Sequence, residues 1–235
     1  MGNDETGDRA ARLPRRRALL ALGALGTGTL LYGSRAARHA AGELFSVRSA
    51  AAQNQCLLTP EQTEGPYHIE DEPYRRTISE GRPGTPLLLL LKVQNAATCA
   101  PIANAVVEIW HADANGSYSG FDGAASDTAM RGQQVANGVG RVRFRTIYPG
   151  WYRGRTVHVH VKVHVGGNEV HTGQLYFDDA VTDVVCGAQP YAARGSRDTD
   201  NASDGIFANG GAQSLLRLST RGRGYQAKLT LGVQV

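Results

Sequence analysis

Cysteine, methionine and tryptophan are scarce in this chain, with three, two and two among 235 residues. Cys56, Cys99 and Cys186 match no zinc-binding spacing, which argues against the small structural zinc proteins. Long apolar runs are also lacking. The uncharged stretch Ala18–Tyr32 is glycine-rich and short of the roughly 20 apolar residues that a stable membrane span needs. There is no internal repeat and no heptad pattern, so solenoids and coiled coils drop out. Nor does the body of the chain carry an excess of one charge. Residues 1–52 hold eight basic and four acidic residues and the remainder holds 17 of each, so the net charge of +4 belongs to the leader. A neutral domain gives no electrostatic argument for nucleic acid as a partner.

What is present divides the chain in two. Arg15-Arg16-Arg17 precedes the uncharged run, as in a twin-arginine export signal, with Arg16-Arg17-Ala-Leu-Leu the better register. Ala50-Ala51-Ala52 before Gln53 fits a small-residue cleavage site, although it lies late; an uncleaved leader would leave a membrane tether. Residues 1–52 therefore read as signal and linker, and residues 53–235 as the folded domain. The expected location is extracellular, periplasmic or cell-surface. In such a compartment two cysteines can pair. Cys56 with Cys99 is the expected pair, since both sit at the edges of early segments, and Cys186 is then free. Geometry has to decide whether that bond forms.

The domain is rich in glycine and poor in helical periodicity. Pro86–Gln94 is an apolar run read as a strand buried on both faces. Val106–His111, Arg141–Ile147, His171–Phe177 and Tyr225–Val235 also read as strands, separated by turn-rich segments. Asp122–Val139 reads as a looser segment and Cys186–Gly211 as a long polar loop. Six or more short strands without a long helix predict an all-β fold, a sandwich or a barrel.

The most informative strand is Val157–Val165. Its odd positions are all valine, and His158, His160, Lys162 and His164 fill the others. A period of two puts the valines on one face and the polar residues on the other. His158 and His160, at i and i+2, can converge on one metal ion, although a lone His-x-His pair is equally well an ordinary polar face. The preceding turn, Tyr148-Pro-Gly-Trp-Tyr152-Arg-Gly-Arg155, adds phenols and cations beside the pair. His164 stands about 7 Å beyond His160 at strand rise, too far to share an ion, and His68, His111 and His171 read as structural. So does Tyr148, and Tyr118 taken alone reads as a loop-packing residue. Trp110 suits either the core or a pocket wall, and Arg141, Arg143 and Arg145 a solvated strand face.

Four motifs in order give the chain a likeness. Ile-Trp110-His-Ala-Asp-Ala-Asn-Gly-Ser-Tyr118, then Phe144-Arg-Thr-Ile-x-Pro-Gly-x-Tyr152, then Arg155-x-x-His158-x-His160, preceded by Glu64-Gly-Pro-Tyr67, resemble the intradiol ring-cleavage dioxygenases. The likeness covers roughly residues 56–235 and is greatest to the protocatechuate type and its exported relatives. It implies a β-sandwich of mainly antiparallel strands with long loops carrying a metal site. It implies one Fe(III) per chain, held by Tyr118, Tyr152, His158 and His160. A hard ferric ion suits phenolate and imidazole donors, and two phenolates favour the ferric state.

The implied reaction opens a catechol-type ring between its hydroxyl-bearing carbons with O2, giving a muconate-type diacid. In it Tyr152 is a local base, Arg155 a pocket cation and Gln174 a pocket amide that orients oxygen or substrate. A homo-oligomer is compatible with the resemblance. The chain departs from the family in lacking the N-terminal helical region of the catechol enzymes, and Gly154 follows Tyr152 where protocatechuate enzymes carry tryptophan, which points to a wider pocket. Two other readings compete. A cupin-like metal oxygenase would need a glutamate soon after the His pair, and Glu169 is poorly placed. It would also leave Tyr118 and Tyr152 idle. A non-catalytic β-sandwich that binds aromatics or saccharides would hold no iron tightly and would not need both histidines.

Overall fold

Strands are the main regular structure in the computed structural model, which describes residues 56–121 and 126–235. The leader and linker expectations fall outside the described residues. Among the described residues eight strands run in order: β1 (Pro86–Asn95), β2 (Val106–Trp110), β3 (Arg131–Val135), β4 (Arg141–Ile147), β5 (His158–Val165), β6 (Asn168–Tyr176), β7 (Arg217–Arg221) and β8 (Gly224–Val233). They form two four-stranded sheets, β3-β2-β5-β6 and β4-β1-β8-β7. The β1–β8 pair is parallel; the other pairs are antiparallel. The expected sandwich of mainly antiparallel strands is what forms. Among the described residues no helix is long and apolar enough to cross a membrane.

The core lies between the sheets. Val159, Val161 and Val163 of β5 point inward with Val107 and Ile109 of β2, meeting Leu89, Leu91 and Val93 of β1 and Phe144 of β4. These side chains are buried, and apolar burial of roughly 1.5–3 kcal/mol per large side chain drives the packing.

Two expectations need correction, and two further elements carried no expectation. β1 is not buried on both faces: its burial alternates, with Leu88, Leu90 and Lys92 only partly covered, because the outer face of its sheet has no layer over it as deep as the core. β3 lies within the stretch read as loose. Its Gly132-Gln133-Gln134 shows no alternation, yet it pairs with β2 along its full length. β7 was hidden in a polar run, since four of its five residues are exposed. A short helix, α1 (Asp179–Cys186), follows β6; Asp178 caps it by accepting from the Ala180 and Val181 amides.

The polar face of β5 is also not a solvated one. His158, His160 and Lys162 are buried. The irregular segment from Pro60 to Ile78 lies over this sheet and is tied to it. Gln62 N donates to Thr172 O at 3.0 Å and Gln133 N to Pro73 O at 2.9 Å. The start of this strap is fixed by a Cys56–Cys99 disulfide, the expected pair, and Cys186 is a free buried thiol. His68 is held by Glu108 at 2.6 Å, and His164 lies 3.6 Å from the same carboxylate. Tyr148 bonds Thr182 at 2.8 Å, as a structural residue would.

Burial sets one pH dependence. Desolvation pulls the His171 imidazole down to about 4. An unfolded histidine titrates near 6.5, so the unfolded chain binds more protons between these values. The stability from neutral His171 is complete above about pH 6.5 and is lost as pH falls toward 4, with a slope of up to about 1.4 kcal/mol per pH unit. Glu72, raised to about 7 mainly by burial, acts in the opposite direction, so the expected signal is a difference between variants. His171→Gln should show a shallower fall in urea midpoint from pH 7 to pH 4.5 than the parent, both measured free of metal.

Candidate metal centre

Strand register places the site before any side-chain contact is considered. On the outer face of the first sheet, Arg131, Trp110, His160 and Gln174 occupy one row across β3, β2, β5 and β6. His158 lies in the next row beside Tyr176. Trp110 stacks flat on His160, with centroids 4.9 Å apart at 6°. The strap supplies the opposite wall. Gly65 takes a positive φ of 75°, and a Cβ there would meet His160 Cε1 at 3.3 Å. Tyr67 stacks on Tyr118 at 4.3 Å and meets Tyr152 edge-on at 6.3 Å. Tyr118 comes from the loop after β2, and Tyr152 from the turn before β5, where Gly150 packs so tightly that a Cβ would fall 2.4 Å from Asp113 O.

Four donor atoms converge there. His158 Nε2 lies 3.1 Å from His160 Nε2 and 3.1 Å from Tyr152 Oη. Tyr118 Oη lies 3.1 Å from His160 Nε2 and 3.5 Å from His158 Nε2. His158 Nδ1 donates to Thr156 O at 2.7 Å, which leaves Nε2 as the lone-pair nitrogen. His160 Nδ1 is buried without a hydrogen-bond partner. Desolvation, aided by Arg155, takes the His158 imidazole down to about 3, and it takes His160 well below its ordinary range. Burial raises both phenols, with the Tyr152 hydroxyl adding to the effect on Tyr118 and Arg155 opposing it on Tyr152. Two neutral imidazoles facing each other beside two phenols form a largely buried set of lone pairs, and a cation is the partner such a set fits. The donors are hard oxygen and imidazole nitrogen, which suit ferric iron better than a soft metal. Among the described residues no group of three His, Cys, Asp or Glu is poised for a metal, so the phenols are essential to this set.

Arg155 borders the four atoms. Its Nη1 lies 3.5 Å from Tyr152 Oη, its Nη2 donates to Gln174 Oε1 at 2.5 Å, and its Nε donates to Asp204 Oδ2 at 2.9 Å. Gln174 is turned toward the protein rather than the opening. Its Oε1 also faces Tyr176 Oη at 3.1 Å and its Nε2 donates to Thr63 O at 2.9 Å, so it braces Arg155 rather than presenting an amide to a ligand. His111 is buried and bonded to Thr146 and Ala112, away from the cluster. Glu169, the residue a cupin reading needed, instead pairs with Lys162 at 2.8 Å.

Sequence reasoning missed Asp204. It sits in the long loop read only as polar, 49 residues from Arg155. Its Oδ2 also accepts from Thr156 N at 2.8 Å, and its Oδ1 from Ile206 N at 2.7 Å and Phe207 N at 2.9 Å. Burial pushes its carboxyl up, but the Phe207 and Thr156 amides with Arg155 hold it below the ordinary carboxylate range. One buried side chain thus fixes the loop, the start of β5 and the site cation together. No local sequence signal marks it, because its partners are remote in the chain.

Comparison with known proteins bears on the chain as a whole. A profile of the family described as Dioxygenase matches residues 60–192. A chlorocatechol 1,2-dioxygenase of Cupriavidus pinatubonensis is 30% identical over 146 residues, 52% of this chain and 57% of that protein. The chain thus spans little more than half the length of that curated relative. Among solved structures, an intradiol ring-cleavage dioxygenase from Tetranychus urticae is 36% identical, with a TM-score of 0.71, covering 76% of this chain and 95% of the other. The dioxygenase domain of a dioxygenase carbohydrate-binding protein fusion from Streptomyces sp. SirexAA-E is 30% identical, with a TM-score of 0.60, covering 76% and 99%.

Replacing Asp204 tests its bracing role directly. Asp204→Ala leaves a partly buried guanidinium and three backbone amides without their acceptor, and should cost about 3–5 kcal/mol in urea unfolding. Asp204→Asn keeps acceptor oxygen and should cost clearly less. Equal, small losses would show that the loop is held by other contacts.

Proposed function

Because this chain belongs to the intradiol ring-cleavage dioxygenase family, we propose that it opens a catechol-type ring between its two hydroxyl-bearing carbons with O2, using one ferric ion held by Tyr118, Tyr152, His158 and His160. The observation that carries this reading is the convergence of two phenol oxygens and two imidazole nitrogens within 3.1–3.5 Å of their neighbours. When bound, the ferric ion would supply a hard Lewis acid that favours both catechol oxygens as anions and links the ring's electrons to O2.

The remaining work falls to the chain. Tyr67, Tyr152 and Arg155 are the partly exposed members of the site, and a flat aromatic substrate enters on their side. Tyr152 Oη is the ligand nearest that opening and takes a proton from the incoming catechol. Arg155 donates toward the same region and holds negative charge that builds on the substrate. Gln174 and Asp204 fix the guanidinium in that orientation, as positioning residues. The Trp110 and Tyr67 rings exclude water from behind His160 and Tyr118. A muconate-type diacid is the expected product. A cupin-like oxygenase would leave both tyrosines without a task, and a binding module would need no such donor set. Export by the twin-arginine-type leader is part of the same proposal and rests on Arg15–Arg17 and the uncharged run after them.

The first test is iron analysis with visible spectroscopy of the full chain, before and after catechol under nitrogen. About one ferric ion per chain and a phenolate charge-transfer band that moves to longer wavelength with catechol are the expected result. A protein that stays colourless after ferric loading would overturn the proposal. Tyr152→Phe should keep the fold yet shift the band and slow turnover. Arg155→Ala should keep its iron and band and lose about 10²-fold in kcat; unchanged kcat would remove the cation from the reaction.

A further inference from the structure

The outer face of the second sheet is a concentration of unpaired positive charge. None of its four strands contains an aspartate or a glutamate. Strand pairing puts Lys92 opposite Arg141, Leu90 between Arg143 and Lys228, and Lys228 opposite Arg217. Neighbouring cations are thus spaced roughly 5 Å across the strands and about 7 Å along them. The face borders a groove of about 900 Å³ that Arg76, Lys92, Arg141, Arg143, Arg217 and Lys228 line without any acidic residue. Among the described residues none of these six has a carboxylate partner. The ion pairs of the domain use Arg75, Arg82, Arg131, Arg155, Lys162 and Arg197 instead. Like charges placed side by side on a sheet disfavour the fold, so this arrangement works against the protein unless anions cover it.

We propose that this face docks on an anionic lipid surface. Two observations favour a bilayer over a single small anion or a linear polymer. The cations spread over a two-dimensional grid on four strands rather than closing around one point. Exposed apolar side chains border them: Leu57, Leu58 and Val135 line the same groove and are 70%, 52% and 52% exposed. Cations beside exposed leucines are the mixture that partitions into the headgroup boundary. The metal centre is built on the outer face of the other sheet, so docking here leaves that site open.

The test is vesicle sedimentation of the full chain with neutral phosphatidylcholine, and with phosphatidylcholine containing about a third phosphatidylglycerol, over salt from about 0.05 to 0.5 M. Binding confined to the anionic vesicles and falling steeply with salt is expected. The leader is basic and common to every variant, so the comparison that decides is with Arg143→Glu/Arg217→Glu/Lys228→Glu, expected to bind at least tenfold more weakly. Arg143→Gln/Lys228→Gln should fall between it and the parent, and catechol turnover by each variant checks that the fold is intact. Equal binding by parent and charge-reversed protein would overturn the proposal, as would equal binding to neutral vesicles. Retention by an acidic polysaccharide or by nucleic acid in place of vesicles would overturn it too.

Discussion

Two imidazole nitrogens, His158 Nε2 and His160 Nε2, face each other at 3.1 Å on two buried rings. Their closeness is the constraint around which the surrounding chain is arranged. Successive outward residues of one strand would ordinarily stand in water and hold their side chains apart. Here the Pro60–Ile78 strap covers the strand, Trp110 flattens one ring, and the Thr156 carbonyl fixes the tautomer of the other. The two phenols then complete a donor set that has little to gain from any partner other than a cation. The valine row on the opposite face anchors the strand in the core, so the site is held by the same side chains that hold the sandwich together.

The portion of this that could be read from sequence is the portion written in short-range pattern. The alternation over Val157–Val165 located β5 and both histidines, and the turn before it located Tyr152 and Arg155. Tyr118 was indistinguishable from a packing residue until a likeness gave it a role, because a loop tyrosine carries no periodicity. Apart from the Glu64–Tyr67 motif, the strap over the histidines left no trace in the pattern, since it has no regular structure and is stabilised by hydrogen bonds to distant strands. β3 escaped for a similar reason: a glycine and two glutamines form a strand only because β2 offers them an edge. Asp204 lies at the far end of the same difficulty, with every partner set by tertiary folding.

Net charge was the least informative quantity. A domain with equal numbers of acids and bases looks electrostatically mute. In three dimensions the acids gather around the strap, the long loop and the first sheet, whereas the second sheet keeps only cations. Arg141, Arg143 and Arg145 are a solvated face in isolation; beside Lys92, Lys228 and Arg217 they become part of a field. Composition reports a sum, but a partner responds to a gradient.

The cross-strand row that joins Arg131, Trp110, His160 and Gln174 carries one more implication. A slip of β5 by a single residue would send the valines outward and drive both histidines between the sheets, against Phe144 and Leu89. Such a molecule would lose its core and its donor set in the same step. Binding of the proposed ion would therefore serve as proofreading: only a chain whose strands have paired in the right register would present the donor set that retains it.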